Sequence, residues 1–281
     1  MKIGMNLLLW TDSPHADEHR AIFEKIKGWG YDGVEIPIDS VDGTNVRAIS
    51  KQLDALHLQR TTISALDAAV ADPSSRDPSL RRAAVSAMKN YVEKTRDIGA
   101  DLLSGPLFQG LGKFTGQAPQ LDEWKYAVET IREVGEFAQT LNVKIALEVL
   151  NRFEMYIVNT VADGARFVRD VGLSHVGLLA DTHHGNIEES NTARAWESVA
   201  EHIFHVHISE NHRGVPGSGH AIPKEIFEVL KAISYNGWVT IEAFGQTVPG
   251  LMSRLHLWRT FAEHNDDAAR LGIEFVRNSL R

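Results

Sequence analysis

Along the chain, short apolar runs alternate with longer segments whose apolar residues recur every three or four positions. The runs are KIGMNLLL, GVEIPI, QRTTISAL, ADLLSG, KIALEVL, HVGLLAD, IFHVHIS and WVTIEAF. Among the longer segments are HRAIFEKIKGWG, VRAISKQLDALH, SLRRAAVSAMKNYVEKTRDIG and EWKYAVETIREVGEFAQTLN. Runs of the first length suit buried strands, and the second spacing suits amphipathic helices. Gly30, Gly99, Asn142 and Gly172 stand where helical segments close, which is a C-terminal stop signal. Strands alternating with helices predict a parallel sheet. Eight such units in 281 residues predict a closed (β/α)8 barrel, one domain over residues 1–281. The competing open, doubly wound sheet usually carries a glycine fingerprint after its first strand, and NLLLWTDSPH has none.

A barrel of this kind carries its active site at the C-terminal ends of the strands. Side chains alternate along a strand, so parity separates the interior from the helix-facing side. In KIALEVL, Ile145, Leu147 and Val149 share one face, and Ala146 and Glu148 the other. In the next three runs, Asp181, His207 and Glu242 fall on the face opposite the apolar one. Strands five to eight thus end in Glu148, Asp181, His207 and Glu242, around one half of the barrel mouth. Three carboxylates and an imidazole form a hard, oxygen-rich donor set suited to Mn²⁺, Mg²⁺ or Co²⁺. A bound cation also explains how three acids stay ionised at close range. His205, one layer deeper on the same face, reads as a hydrogen-bonded core histidine. Trp10, at the end of the first run, reads equally as a wall of the pocket or as core.

Composition narrows the class. Net charge is −8, whereas a phosphate-backbone binder needs a basic stripe, so no nucleic-acid partner is expected. There are no cysteines, which excludes disulfides and thiolate metal sites. The opening MKIGMNLLLW is too short for a signal h-region, and no apolar run approaches a membrane span. The expectation is a cytoplasmic protein with no membrane partner.

Four segments carry a resemblance: EVLNRFE (Glu148–Glu154), DTHHGNIEE (Asp181–Glu189), HISENHRGVPG (His207–Gly217) and IEAF (Ile241–Phe244). They resemble the ketose 3-epimerases, the D-tagatose or D-psicose 3-epimerase family of the xylose-isomerase-like barrels. The closing HLWRTFAEHNDDAARLGIEFVRNSL resembles that family's last helix. The likeness runs in order through nearly the whole chain and is sharpest from Glu148 onward.

The resemblance implies metal ligands at Glu148, Asp181, His207 and Glu242, the set that parity selects. It implies that Glu148 and Glu242 are the two acid/base groups, one on each face of the substrate. Glu154, His184 and Arg213 match the positions that hold the O1–O3 end of the sugar. The reaction implied is proton removal from C3 of a ketose, passage through a cis-enediolate stabilised by the cation, and reprotonation from the other face. Homodimers or homotetramers are implied as well. The chain departs from the family pattern in two places. The loops NLLLWTDS and GPLFQGLGKF are richer in Leu, Gly and Gln than the aromatic-lined loops expected around C4–C6. The usual Arg-Arg pair reads Arg213-Gly214.

Three other readings use parts of the same sequence. A sugar or keto-inositol isomerase, or a 3-keto-sugar lyase, of the same superfamily would use the same metal and bases. A DNA-repair endonuclease of related fold would need further ligands and a basic face. A non-enzymatic sugar or phosphate sensor would use GVPGSG as an anion nest, with Arg213 and Lys224 as its nearest cations.

Overall fold

The computed structural model describes all 281 residues. The strands are β1 (Lys2–Asn6), β2 (Gly33–Pro37), β3 (Gln59–Ile63), β4 (Leu102–Gly105), β5 (Lys144–Glu148), β6 (Val176–Asp181), β7 (Ile203–Ile208) and β8 (Trp238–Ile241). All are parallel to their neighbours, and β1 pairs with β8 to close the barrel. The helices are α1 (Arg20–Trp29), α2 (Gly43–Ala55), α3 (Pro78–Asp97), α4 (Leu121–Thr140), α5 (Val161–Val171), α6 (Thr182–Glu188), α7 (Thr192–Ser198), α8 (Glu225–Ala232), α9 (Pro249–Arg254) and α10 (Asn265–Ser279). The chain is a (β/α)8 barrel, as the alternation predicts.

The helix ends follow local chemistry. Asp42 and Asp77 accept from backbone amides at the starts of α2 and α3, and Thr160 does so for α5. Gly30, Gly99, Asn142 and Gly172 all adopt positive φ, between 54° and 88°, the left-handed turn that ends a helix.

Two apolar layers hold the barrel. The larger lies between the outward faces of the strands and the helices, with Ile145, Leu147, Val206, Val239 and Ile241 fully buried. The smaller fills the floor with Leu102, Ala146, Leu179 and Trp238, and Phe204 packs against it. Phe204 is an extra residue in β7: Ile203 pairs with Leu178, and His205 with Leu179. Its ring covers Gly177, where a β-carbon would stand 2.5 Å from the ring. Gly33 is equally required, because a β-carbon there would meet Trp238 at 2.6 Å.

The first strand is shorter than its apolar run. Asn6 ends it by accepting from the Leu8 amide at 2.9 Å, and Leu7–Leu9 form a 3-10 turn. The alternation of a strand therefore stops before Trp10. That side chain packs over Trp29, with ring centroids 6.4 Å apart, and donates to Asp266 at 3.1 Å. Leu8, not Trp10, lines the cavity at the barrel mouth. Of the two readings of Trp10, as pocket wall or as core, this placement favours packing over a sugar contact.

Candidate active site and metal centre

The ends of β5 to β8 bring Glu148, Asp181, His207 and Glu242 together. One donor atom from each lies within 4.8 Å of the others, and all four residues are buried. His207 Nδ1 is 3.4 Å from Glu242 Oε1, 3.7 Å from Asp181 Oδ2 and 3.8 Å from Glu148 Oε1. None of these contacts is a hydrogen bond.

Asp181, His207 and Glu242 are each aimed by a partner outside the cluster. Asp181 Oδ1 caps α6 by accepting from the amides of His183 and His184, at 2.5 and 3.3 Å. Its Oδ2 is buried without a hydrogen-bond partner, and so is His207 Nδ1. Two orphaned acceptors aimed at one point among carboxylates suit a divalent cation, and so does the oxygen-rich donor set.

Burial pushes the carboxyl of Glu148 well above its ordinary range, and the nearby charge of Glu242 adds to this. For Asp181, burial acts in the same sense but is outweighed by His207, His184 and Arg213, so its carboxyl falls below the usual range. Burial would lower the His207 imidazolium, yet Glu35 and Glu242 raise it well above an ordinary histidine. A cation held by these residues would replace the proton as the countercharge.

Beneath the cluster lies a residue that the sequence reading did not single out. Glu35, in the middle of GVEIPI, points into the barrel and is fully buried. It accepts from Nε2 of both His205 and His207 at 2.7 Å, Asn6 Nδ2 at 2.9 Å, Ser104 Oγ at 3.0 Å and Thr61 Oγ1 at 3.2 Å. Burial alone would neutralise this carboxyl, but the two histidines hold it well below the normal range. Because Nε2 of His207 donates to Glu35, the ring presents its Nδ1 lone pair upward. His205 is a core histidine in this network. The available signal was an inward-parity glutamate in a strand buried at every position.

On the rim, Arg213 Nη1 donates to Glu242 Oε2 at 2.6 Å and to Ser209 Oγ at 3.0 Å. Its backbone takes φ 61°, unusual for a side chain of this size. That turn is held by the Phe244 amide, which donates to the Arg213 carbonyl at 2.8 Å. Gly214 is confined, since a β-carbon there would be 2.7 Å from Phe261. This accounts locally for the absence of a second arginine.

His184 Nδ1 accepts from the Asn151 amide at 3.1 Å. Burial, with the Arg213 charge second, keeps this ring neutral. Nε2 lies 3.0 Å from Arg213 Nη2. Arg213 Nη2, which can only donate, thus faces the His184 ring at the edge of the cavity. Glu154 stands alongside, 3.9 Å from Arg213 and held by Asn151 Nδ2 at 2.8 Å. His183 Nδ1 bonds the Glu210 carbonyl at 2.9 Å. The cavity over these groups measures about 370 Å³ and is lined by Glu148, Glu154, His184, Arg213 and Glu242.

The GVPGSG loop is not an open anion nest. The Glu210 carboxylate, itself buried, accepts from the amides of Gly217 at 2.8 Å and Ala221 at 3.2 Å. An anion there would meet a carboxylate already in place.

Residues 23–279 match the family model described as xylose isomerase-like TIM barrel. A probable ketose 3-epimerase of Synechocystis sp. is 30% identical over 100% of this chain and 97% of its own. A D-psicose 3-epimerase of Ruminiclostridium cellulolyticum is 30% identical over 100% and 98%. The crystal structure of a D-allulose 3-epimerase of Methylomonas sp. in complex with D-allulose superposes with a TM-score of 0.93, at 28% identity, over 99% of this chain and 97% of that one. The chain belongs to the ketose 3-epimerase family of these barrels.

Proposed function

We propose that the protein epimerises a ketose at C3, with Glu148 and Glu242 as the two proton-transfer groups. The observation that carries this is the buried set of Glu148, Asp181, His207 and Glu242, with Asp181 Oδ2 and His207 Nδ1 unpartnered, beneath Arg213 and His184. Those four residues would hold one divalent ion, and Mn²⁺, Mg²⁺ and Co²⁺ all suit the donors, Mn²⁺ being our choice. When bound, such an ion supplies Lewis acidity that favours ionisation next to a carbonyl.

The chain's own residues account for the remaining steps. Arg213 and His184 receive the oxygens around C2, with Glu154 beside them, and fix the ketose in one orientation. One glutamate removes the C3 proton and the other returns a proton from the opposite face, which a single base would not do efficiently. Arg213, on Glu242, holds that carboxylate in position. Burial of the whole set keeps water away from the planar enediolate. A small-molecule sugar is the partner under this reading, with no nucleic acid or membrane. No helix is long and apolar enough to cross a membrane. A cytoplasmic location and a homodimer or homotetramer complete the proposal, and sedimentation reads the oligomer directly.

The test is deuterium incorporation at C3 of D-fructose and D-allulose in D₂O with Mn²⁺ added. Glu148→Gln and Glu242→Gln are each expected to lower turnover by about 10²–10⁴-fold. Native-rate epimerisation by either variant would sink the two-base assignment. Exchange at C1 with aldose formation would instead favour an isomerase.

A further inference from the structure

A second chamber lies beside the catalytic one. It measures about 430 Å³ and is bounded by the loops after β4 and β5, by α6 and by the segment around α9. The two chambers share Leu111, Glu154, Arg254 and Leu255 as lining residues. The first, at about 370 Å³, already exceeds the roughly 300 Å³ at which pockets for small organic ligands begin. A six-carbon sugar over Glu148, Asp181, His207 and Glu242 does not need the second.

The lining of the second chamber suits a further ring. Phe114, Phe153 and Ile187 give it apolar walls. Phe153 is 73% exposed and Phe114 50%, and neither is required to fill the core. Exposed aromatics gathered on one concave surface mark a binding site more often than single scattered ones. Their faces match the C–H face of a pyranose, and Asn151, His183 and His256 add polar groups on the same wall. Glu154 and Arg254 stand at the threshold, where a linking oxygen would pass.

We propose that this chamber is a subsite for a second sugar ring, so that the substrate is a glycosylated ketose rather than a free monosaccharide. The proposal rests on the epimerase reading above. Under that reading Glu154 lies at the O1–O3 end of the ketose, which places the second ring on O1. The C4–C6 arm then points toward Asp12 and Asp39 on the far wall of the first chamber.

Three probes separate the outcomes: trehalulose (glucose on O1 of fructose), isomaltulose (glucose on O6) and D-fructose. The readout is deuterium incorporation at C3 of the fructosyl unit, using the full chain loaded with Mn²⁺ in D₂O. Trehalulose is expected to exceed both others in kcat/KM by at least about tenfold. Phe153→Ala, at an exposed position outside the catalytic groups, is expected to raise KM for trehalulose about tenfold and to leave D-fructose within about twofold. Equal or better use of D-fructose overturns the proposal, as does a Phe153→Ala effect shared by both sugars. Preference for isomaltulose overturns the placement on O1. Absence of exchange with every probe defeats the epimerase reading itself, and the subsite with it.

Discussion

Glu35 Oε2 stands 2.7 Å from His207 Nε2, inside the barrel and beneath the point where four donor groups converge. The bond fixes which ring nitrogen faces that point. A carboxylate behind a ligating histidine sets its tautomer and makes it more basic. Glu35→Gln keeps the shape but offers one acceptor oxygen to two imidazoles, so one ring loses its partner. The expected result is Mn²⁺ affinity weakened by about 10–100-fold with the fold retained, read by titration calorimetry and circular dichroism. Unchanged affinity would show that His207 is oriented by packing alone.

Metal loading should also register as stability. A ligand that binds only the folded chain, at a hundredfold excess over Kd, adds about 2.7 kcal/mol. For a chain of this size that is a rise of roughly 5 °C in Tm. Asp181→Asn keeps the oxygen that caps α6 and loses the second carboxylate oxygen. It is expected to melt near the metal-free protein and to gain little from added Mn²⁺. Scanning calorimetry with EDTA and with Mn²⁺ provides the comparison.

Trp10 separates a packing role from a sugar-binding one. Its indole donates to Asp266, which also pairs with Lys25 at 2.6 Å. Trp10→Phe is expected to lower stability by about 1 kcal/mol through the lost hydrogen bond and to leave KM unchanged. A raised KM with unchanged stability would return Trp10 to the pocket.

A pH effect is expected at the loop leading into α4. Glu123 accepts from the Gln120 amide at 2.9 Å and from the Tyr156 hydroxyl at 2.5 Å, with Lys113 Nζ 3.4 Å away. Burial raises its carboxyl, but Tyr156, Gln120 and Lys113 outweigh this and bring it below the ordinary glutamate value. An unfolded glutamate titrates near pH 4.3, about the usual value. The stabilisation is therefore complete above that pH and is lost as pH falls through the lower folded value. Melting curves between pH 6 and pH 3, taken as approximate limits on that basis, should show a smaller acid loss for Glu123→Gln than for the native chain.

Much of this was legible in the sequence, for a definite reason. In β5 to β8 the apolar face is nearly unbroken, so a lone Glu, Asp or His of the other parity stands out. The same logic could not decide between the two readings of Trp10, because Asn6 turns the chain before the alternation reaches it. Glu35 was hidden differently. It sits in a short run that reads as apolar, and its two histidine partners lie 170 and 172 residues away. No local pattern encodes that meeting; only closure of the barrel brings β2 opposite β7. The two chambers were likewise out of reach, since loops from distant strands form their walls.

The extra residue in β7 has a further consequence. Phe204, with Trp238 and Leu179, seals the lower end of the barrel. The barrel is therefore filled beneath the four donor groups, and a sugar would reach them from the end that carries the strand C-termini. Under the proposed mechanism, a sugar seated there would stand between the two glutamates and bulk water. Exchange of their protons with bulk water would then follow departure of the product, and the pace of release would set how much solvent label each turnover acquires.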